Sequence, residues 1–198
     1  MAMRKLALRD RLHTERSRRP LLEVSEAARA IAEHLLTAVE VRHAATVAAY
    51  VSTATEPGTG PLLDALVAAG KRIVLPVLLP DGDLDWAAYD GPTALLPAGR
   101  GLLEPAGERL GPDAVATADV VLTPGLAVDR TGMRLGRGGG SYDRALGRVP
   151  IGTFTCTLLY DEELIDAVPA AAHDRRVCAT VTPGGITRYG PPGSSAPV

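Results

Sequence analysis

The segment LGRGGGSYDR, Leu135 to Arg144, holds the residue types of this chain best suited to chemistry. Four glycines (Gly136, Gly138, Gly139, Gly140) stand among Arg137, Ser141, Tyr142, Asp143 and Arg144. Glycine permits left-handed turns and lets backbone N–H groups come close to a ligand. Successive N–H groups form an anion nest, and arginine adds a planar charged fork that matches phosphate. The segment therefore predicts a phosphate cradle, with a carboxylate able to hold a metal ion, Asp143, at its downstream edge. A plain flexible turn competes with this for any glycine-rich loop. Here the glycines alternate with functional side chains rather than with the serines of a linker. A strand-like run, Asp119 to Thr123, and then Pro124-Gly125 precede the loop. Tyr142 to Leu146 after it reads as helical, which suits phosphate binding at a helix N-terminus.

The loop fits neither common nucleotide fingerprint. G-x-x-x-x-G-K-[ST] is absent from the chain, so it is not a P-loop. The dinucleotide pattern G-x-G-x-x-G also fails, because Gly136, Gly138 and Gly140 are evenly spaced and Ser141 follows. A standard dehydrogenase or P-loop ATPase is thus disfavoured.

Other candidates are weaker taken singly. Lys5 and Arg9 are spaced i, i+4 and project from one helix face, where two cations could reach phosphates. A solvated face is the simpler meaning of that spacing. In YVSTATEPGT, Tyr50, Val51 and Glu56 flank the end of a strand-like run, and a carboxylate there could pair with an amino-pyrimidine-like edge. His173-Asp174 sits in a late loop, where Asp174 could join Asp143 in holding Mg²⁺ through oxygen ligands, provided the two loops meet. The four histidines show no zinc spacing. No G-x-S-x-G elbow marks a serine nucleophile.

The 198 residues predict one domain with a real core, and the net charge of −2 gives no global basic field for nucleic acid. The early arginines (Arg4, Arg9, Arg11, Arg16, Arg18, Arg19) read mainly as a solvated helix face. Two cysteines without C-x-x-C, Cys156 and Cys178, predict small buried side chains in a reducing compartment. No apolar run approaches membrane-spanning length and no hydrophobic signal core is present. A cytoplasmic protein is expected.

Periodicity predicts helices over Arg4 to Arg18, over Ser25 to Val39 with Ser25 as N-cap, and over Leu62 to Ala69, closed by Gly70. Strands are expected over Ala44 to Val51, Arg72 to Leu78, Leu84 to Tyr89, Asp119 to Thr123, Ile151 to Phe154 and Val177 to Val181, with a turn at Pro80-Asp81-Gly82. This alternation predicts an α/β fold with a mostly parallel central sheet flanked by helices on both faces. Ligands then sit beyond the C-terminal strand ends, around the segments after Val51, Leu78, Thr123 and Phe154. The domain is expected to span residues 1–182, with residues 183–198, rich in Gly, Pro and Ser, as a disordered tail.

Together these pieces resemble the 5-formyltetrahydrofolate cyclo-ligase (methenyltetrahydrofolate synthetase) family. The core of the match is PGLAVDRTGMRLGRGGGSYDRAL, Pro124 to Leu146. Lys5 with Arg9, Tyr50-x-Ser52 with Glu56 and Thr59, Leu103-Glu104-Pro105, and Pro169 with His173-Asp174 follow in the family's order. The resemblance implies that Lys5, Arg9 and the run Arg134, Leu135, Gly136, Arg137, Gly138, Gly139, Gly140, Ser141 and Tyr142 contact ATP. It implies that Arg137 and Ser141 also border the folate, beside Tyr50, Val51 and Glu56. Asp143 and Asp174 match magnesium ligands, and Arg137 and Tyr142 would act directly at the reacting groups.

The implied reaction is ATP- and Mg²⁺-dependent conversion of 5-formyltetrahydrofolate to 5,10-methenyltetrahydrofolate by a monomer that needs neither nucleic acid nor membrane. Three positions depart from the family pattern. Gly139 stands where lysine is frequent, Ser141 where a second aromatic is frequent, and Glu163 where glutamine is common. The loss of lysine predicts that Arg134, Arg137 or Arg144 supplies the missing charge. A non-catalytic nucleotide or sugar-phosphate binding module is the alternative, separated from the enzyme by substrate-dependent ADP release.

Overall fold

Unbroken apolar runs such as Ile73-Val74-Leu75 and Val120-Val121-Leu122 are buried at every residue, as expected of parallel strands covered on both faces. A computed structural model describes residues 2–53 and 55–190. Helices α1 (Ala2–Ser17), α2 (Leu21–Thr37) and α3 (Val39–His43) lead to β1 (Thr46–Ala48) and α4 (Gly60–Ala68). Two hairpins follow, β2 (Arg72–Leu78) with β3 (Leu84–Ala88), and β4 (Leu95–Pro97) with β5 (Leu103–Pro105). Next come β6 (Val120–Pro124), the hairpin of β7 (Ala127–Asp129) and β8 (Arg134–Leu135), and α5 (Ser141–Arg148). The last elements are β9 (Phe154–Leu158), β10 (Leu164–Ile165), β11 (Ala179–Thr182) and β12 (Gly185–Arg188).

Seven strands form the main sheet in the order β12-β11-β9-β6-β1-β2-β3. The five inner strands run parallel, and β3 and β12 close the edges antiparallel. One face packs Ile31, Leu35, Leu62 and Leu66 of α2 and α4 onto Val47, Ile73, Val120 and Cys156. The other face carries Ala145 and Leu146 of α5 against Trp86, Val121 and Val177. The expected α/β architecture, with helices on both faces, is the one observed.

After β1 the chain steps outward to β2, then returns to the other side of β1 at β6. Such a reversal opens a crevice beyond the carboxyl ends of the two strands. A three-stranded sheet, β10-β7-β8, stands beside it. Leu12 of α1 is buried with Leu126, Ala127, Leu135 and Val168 of this unit. Arg16 fastens the helix further. Its guanidinium donates to Glu163 at 2.6 and 2.7 Å and to the Gly125 carbonyl at 2.7 Å, with both side chains almost fully buried.

Several expected boundaries move. Helix α2 begins at Leu21 rather than near Ser25, because Pro20 stands at its N-cap position with extended backbone; proline is tolerated there, where no N–H is needed. Ile151 lies in an exposed turn with Gly152 at φ +96°, so that strand starts at Phe154. The expected tail is cut back. Gly185–Arg188 pairs with β11, and Arg188 donates to both Glu40 oxygens at 2.9 Å. The Pro183-Gly184 stretch is a hairpin turn that composition alone reads as low complexity. Residues 191–198 of the expected tail lie outside the described residues. No helix among the described residues is long and apolar enough to cross a membrane.

Removing one partner of a buried ion pair leaves an uncompensated charge, at a cost of about 3–5 kcal/mol. Arg16→Met should lower unfolding free energy by that order in urea denaturation; a loss below about 1 kcal/mol would remove the pair as an anchor of α1. At the β2–β3 turn, Asp83 accepts from Arg148 at 3.0 and 2.6 Å. That guanidinium holds its carboxyl below the usual range. A depressed carboxylate stabilises the fold above its unfolded pKa and loses that contribution as pH falls through its folded value. Asp83→Asn should therefore be less stable than wild type at neutral pH, with the gap closing as pH falls below the ordinary carboxylate range.

Candidate active site

The crevice beside β1 and β6 deepens into a cavity of about 700 Å³, within the range typical of small-molecule sites. The end of β1 brings Tyr50, Val51 and, through the following loop, Glu56; the end of β6 brings Pro124 and Gly125. Arg134 and Leu135 enter from β8, and the glycine run Gly136 to Gly140 leads to Ser141, Tyr142 and Asp143 in the first turn of α5. Lys5 and Arg9 reach in from α1, and Asp174 from the loop before β11. Every residue that the resemblance assigns to ATP, folate or magnesium therefore lines one cavity, including the pairs whose spacing alone was uninformative. The expectation that the segment after Phe154 joins them is not met: Phe154–Leu158 is itself β9, neither it nor Leu159 and Tyr160 line the cavity, and Tyr160 is buried beneath Arg19, whose guanidinium lies 3.9 Å from the ring centre.

Local sequence explains the loops. Ser52 and Thr59 exchange side-chain to backbone hydrogen bonds at 2.9 and 3.0 Å. Between them, Glu56 accepts from the Thr53 amide at 2.8 Å. Gly140 caps α5 in the left-handed region, φ +71°, where only glycine is unstrained. At Gly136 a Cβ would lie 2.9 Å from the Arg134 guanidinium, so glycine is what admits that arginine. Arg9 Nε donates to the Gly136 carbonyl at 2.8 Å, tying α1 to the loop.

Three carboxylates in the cavity each face a cation from another segment. Asp174 pairs with Lys5 and accepts from the Ala171 amide at 2.5 Å. Burial raises the Asp174 pKa, but these two donors outweigh it and hold the carboxyl below its usual range. Asp143 accepts from Arg134 and from the Arg175 amide, both at 3.1 Å. Glu56 lies 3.7 Å from Arg137, which also donates to Thr53 Oγ1 at 3.2 Å.

A model of the 5-formyltetrahydrofolate cyclo-ligase family matches residues 2–183. A 5-formyltetrahydrofolate cyclo-ligase of Mycolicibacterium smegmatis is 42% identical over 143 residues, covering 70% of this chain and 73% of that protein. The chain belongs to the 5-formyltetrahydrofolate cyclo-ligase family. The Escherichia coli K12 cyclo-ligase is 33% identical over 166 residues, 80% of this chain and 88% of that one. The NMR structure of Aquifex aeolicus 5,10-methenyltetrahydrofolate synthetase superposes with a TM-score of 0.82 at 26% identity, covering 97% of this chain and 96% of the other.

In this cyclo-ligase family member no cluster of three or more His, Cys, Asp or Glu side chains assembles a metal cage among the described residues. Magnesium commonly binds through one or two carboxylates, with phosphates and water completing its shell. Asp143 and Asp174, both in the cavity wall beside the glycine loop, fit that donor set. Of the three arginines expected to replace the lysine absent at Gly139, Arg134 and Arg137 line the cavity and Arg144 does not. Glu163, where glutamine is common, is the partner of Arg16 and stands outside the cavity.

Two features escaped sequence reasoning. The β4–β5 hairpin contributes Leu102 and Leu103, which with Pro76, Leu78 and Leu84 form an apolar wall. Glu104 anchors it by accepting from the Leu78 amide at 2.8 Å. The Leu103-Glu104-Pro105 triplet was the available signal, but nothing in its spacing shows which strand it meets. The second feature is a pair of hydroxyls. Tyr50 Oη and Tyr142 Oη are buried without a hydrogen-bond partner among the described residues. Burial drives both phenol pKa values up, and the nearby Glu56 carboxylate adds to this.

An unsatisfied buried hydroxyl costs about 1–3 kcal/mol. Tyr50→Phe should therefore leave the melting temperature unchanged or raise it. A clear fall in differential scanning calorimetry would mean that the hydroxyl has a partner in the ligand-free protein.

Proposed function

We propose that this protein converts 5-formyltetrahydrofolate to 5,10-methenyltetrahydrofolate, consuming ATP and releasing ADP and phosphate. The observation that carries the proposal is the shared cavity: the phosphate-type glycine loop and the Tyr50-Glu56 wall are joined by Arg137, which belongs to the loop and reaches Glu56 and Thr53.

The N-formyl group is amide-like, and resonance leaves its carbonyl a poor electrophile. In the proposed sequence the γ-phosphoryl group moves to the formyl oxygen as its bond to ADP breaks. The N10 lone pair then attacks the formyl carbon within the same molecule, where proximity supplies much of the rate. Phosphate leaves with the former formyl oxygen, and the N10 proton is lost. No side chain needs to act as a nucleophile; the protein's work is alignment and charge stabilisation.

In this reading Glu56 accepts hydrogen bonds from the amino edge of the pterin, with Tyr50 and Val51 beside it. The amides of the run Gly136 to Ser141, with Lys5, Arg9, Arg134 and Arg137, receive the phosphates. Tyr142 stands next to the formyl group and steers it by its hydroxyl. Asp143 and Asp174 would hold Mg²⁺, which when bound screens phosphate charge during transfer. One chain supplies all of these groups, in keeping with a monomer acting in the cytoplasm.

The test mixes purified protein, Mg-ATP and 5-formyltetrahydrofolate, and follows both the absorbance of the methenyl product and ADP release. Substrate-dependent ADP release matched by product is expected; nucleotide binding without it would make the chain a binding module. In the same assay Asp143→Asn should depress turnover and raise the magnesium concentration needed for half-maximal rate. An unchanged magnesium dependence would remove Asp143 as a ligand.

A further inference from the structure

Arg144 is absent from the cavity wall, yet it touches the glycine loop from behind. Its Nη2 donates to the Gly82 carbonyl at 2.5 Å and to the Gly139 carbonyl at 3.2 Å. The guanidinium fills the space beside both turns: a Cβ at Gly82 would lie 3.0 Å from Nη2, and one at Gly140 would lie 3.1 Å from Nη1. The Gly82 side of this bridge is rigid. The turn closes on itself through Gly82 N to Leu79 O and Leu79 N to Asp83 O, both 2.9 Å. Asp83 is in turn gripped by Arg148, which also reaches Asp113 at 3.1 Å.

The glycine side is not rigid by itself. Gly138 and Gly140 have positive φ, and the amides of Gly138, Gly139 and Gly140 donate to no acceptor among the described residues. Such a run has many conformations open to it. In a trans peptide the C=O and the following N–H point in opposite directions, and no peptide in the described chain is cis. Fixing the Gly139 carbonyl outward on Arg144 therefore turns the Gly140 N–H the other way, towards the cavity that both glycines line.

We infer that Arg144 is a positioning residue for nucleotide binding: it clamps the glycine loop to the β2–β3 turn and so aims the Gly140 amide at a phosphate group. The inference rests on the nucleotide reading above. Arg144 acts through the shape of the main chain, not through its charge.

The test measures Mg-ADP affinity by calorimetry, KM for Mg-ATP and for 5-formyltetrahydrofolate, and melting temperature. Arg144→Met should weaken Mg-ADP binding and raise KM for Mg-ATP by about ten- to a hundredfold, the range for a lost hydrogen bond to a charged group. KM for the folate and the melting temperature should stay near wild type. Arg144→Lys keeps the charge but ends one bond short of Nη2, the single nitrogen that meets both carbonyls, so it should remain as weak as Arg144→Met.

Wild-type Mg-ADP affinity in Arg144→Met would overturn the clamp, whatever its melting temperature. Full rescue by Arg144→Lys would overturn it in favour of a charge effect. A wild-type protein that binds no Mg-ADP would instead bring down the nucleotide reading, and the clamp with it.

Discussion

The cavity holds together because each of its three paired carboxylates is neutralised by a cation from a different part of the chain. Lys5 of α1 meets Asp174, Arg134 of β8 meets Asp143, and Arg137 of the glycine loop approaches Glu56. All of these side chains but Arg137 are largely buried, and buried charges without partners would be costly, so these pairs fix where α1, the glycine loop and the loop before β11 can sit. They also constrain what can enter. A bare anion can take the cations only by stranding the carboxylates, and a bare metal ion can take the carboxylates only by stranding the cations. A ligand bearing both phosphates and a divalent ion satisfies both sets at once. The pairing thus favours nucleotide and metal together, which is the form the proposed reaction requires.

The fold supplies the second constraint. Strand β1 is only three residues long, but it lies at the reversal of strand order, and the crevice opens at its end. The apolar faces of the sheet bury the scaffold and leave the carboxyl edge free for polar groups. Helix α1 belongs to neither main core cluster. It docks on the small sheet through Leu12 and Arg16, which places Lys5 and Arg9 at the rim. The anchor at one end of the helix and the cavity-lining cations nearer its other end are thus parts of one rigid element.

What was legible in the sequence follows from what is local. The glycine run could be read because a nest and its flanking arginines are contiguous, and Arg72–Leu78 could be bounded because a buried parallel strand is apolar throughout. Lys5, Glu56 and Asp174 were weak by spacing because their meaning depends on a meeting 169 residues apart in one case; the family resemblance, not periodicity, joined them. Strand β12 was hidden because an edge strand with Gly185 and Thr187 has little apolar signal. The β4–β5 wall was hidden because three-residue strands carry no period. Arg16 and Arg144 were read as a helix-face arginine and a generic phosphate cation. Only tertiary placement shows that one is buried against Glu163 and that the other serves main-chain carbonyls.

The unpartnered hydroxyls of Tyr50 and Tyr142 complete the same logic from the opposite side. A fold that could satisfy them internally would be more stable, and phenylalanine at either position would remove the penalty. Their persistence in the floor of a cavity, next to a carboxylate, is intelligible if an incoming molecule satisfies them, since buried polar groups discriminate strongly against ligands that leave them unpaired. Stability is instead built where no ligand goes, in the Arg16-Glu163 pair and in the aliphatic layers on the two faces of the sheet. The glycine loop, whose central amides have no acceptor among the described residues, must take its shape from neighbours. Arg9 holds one carbonyl at its start and Arg144 holds one near its end. A loop pinned at two carbonyls presents its remaining N–H groups in a fixed array, and a fixed array loses less entropy on meeting a phosphate than a free one.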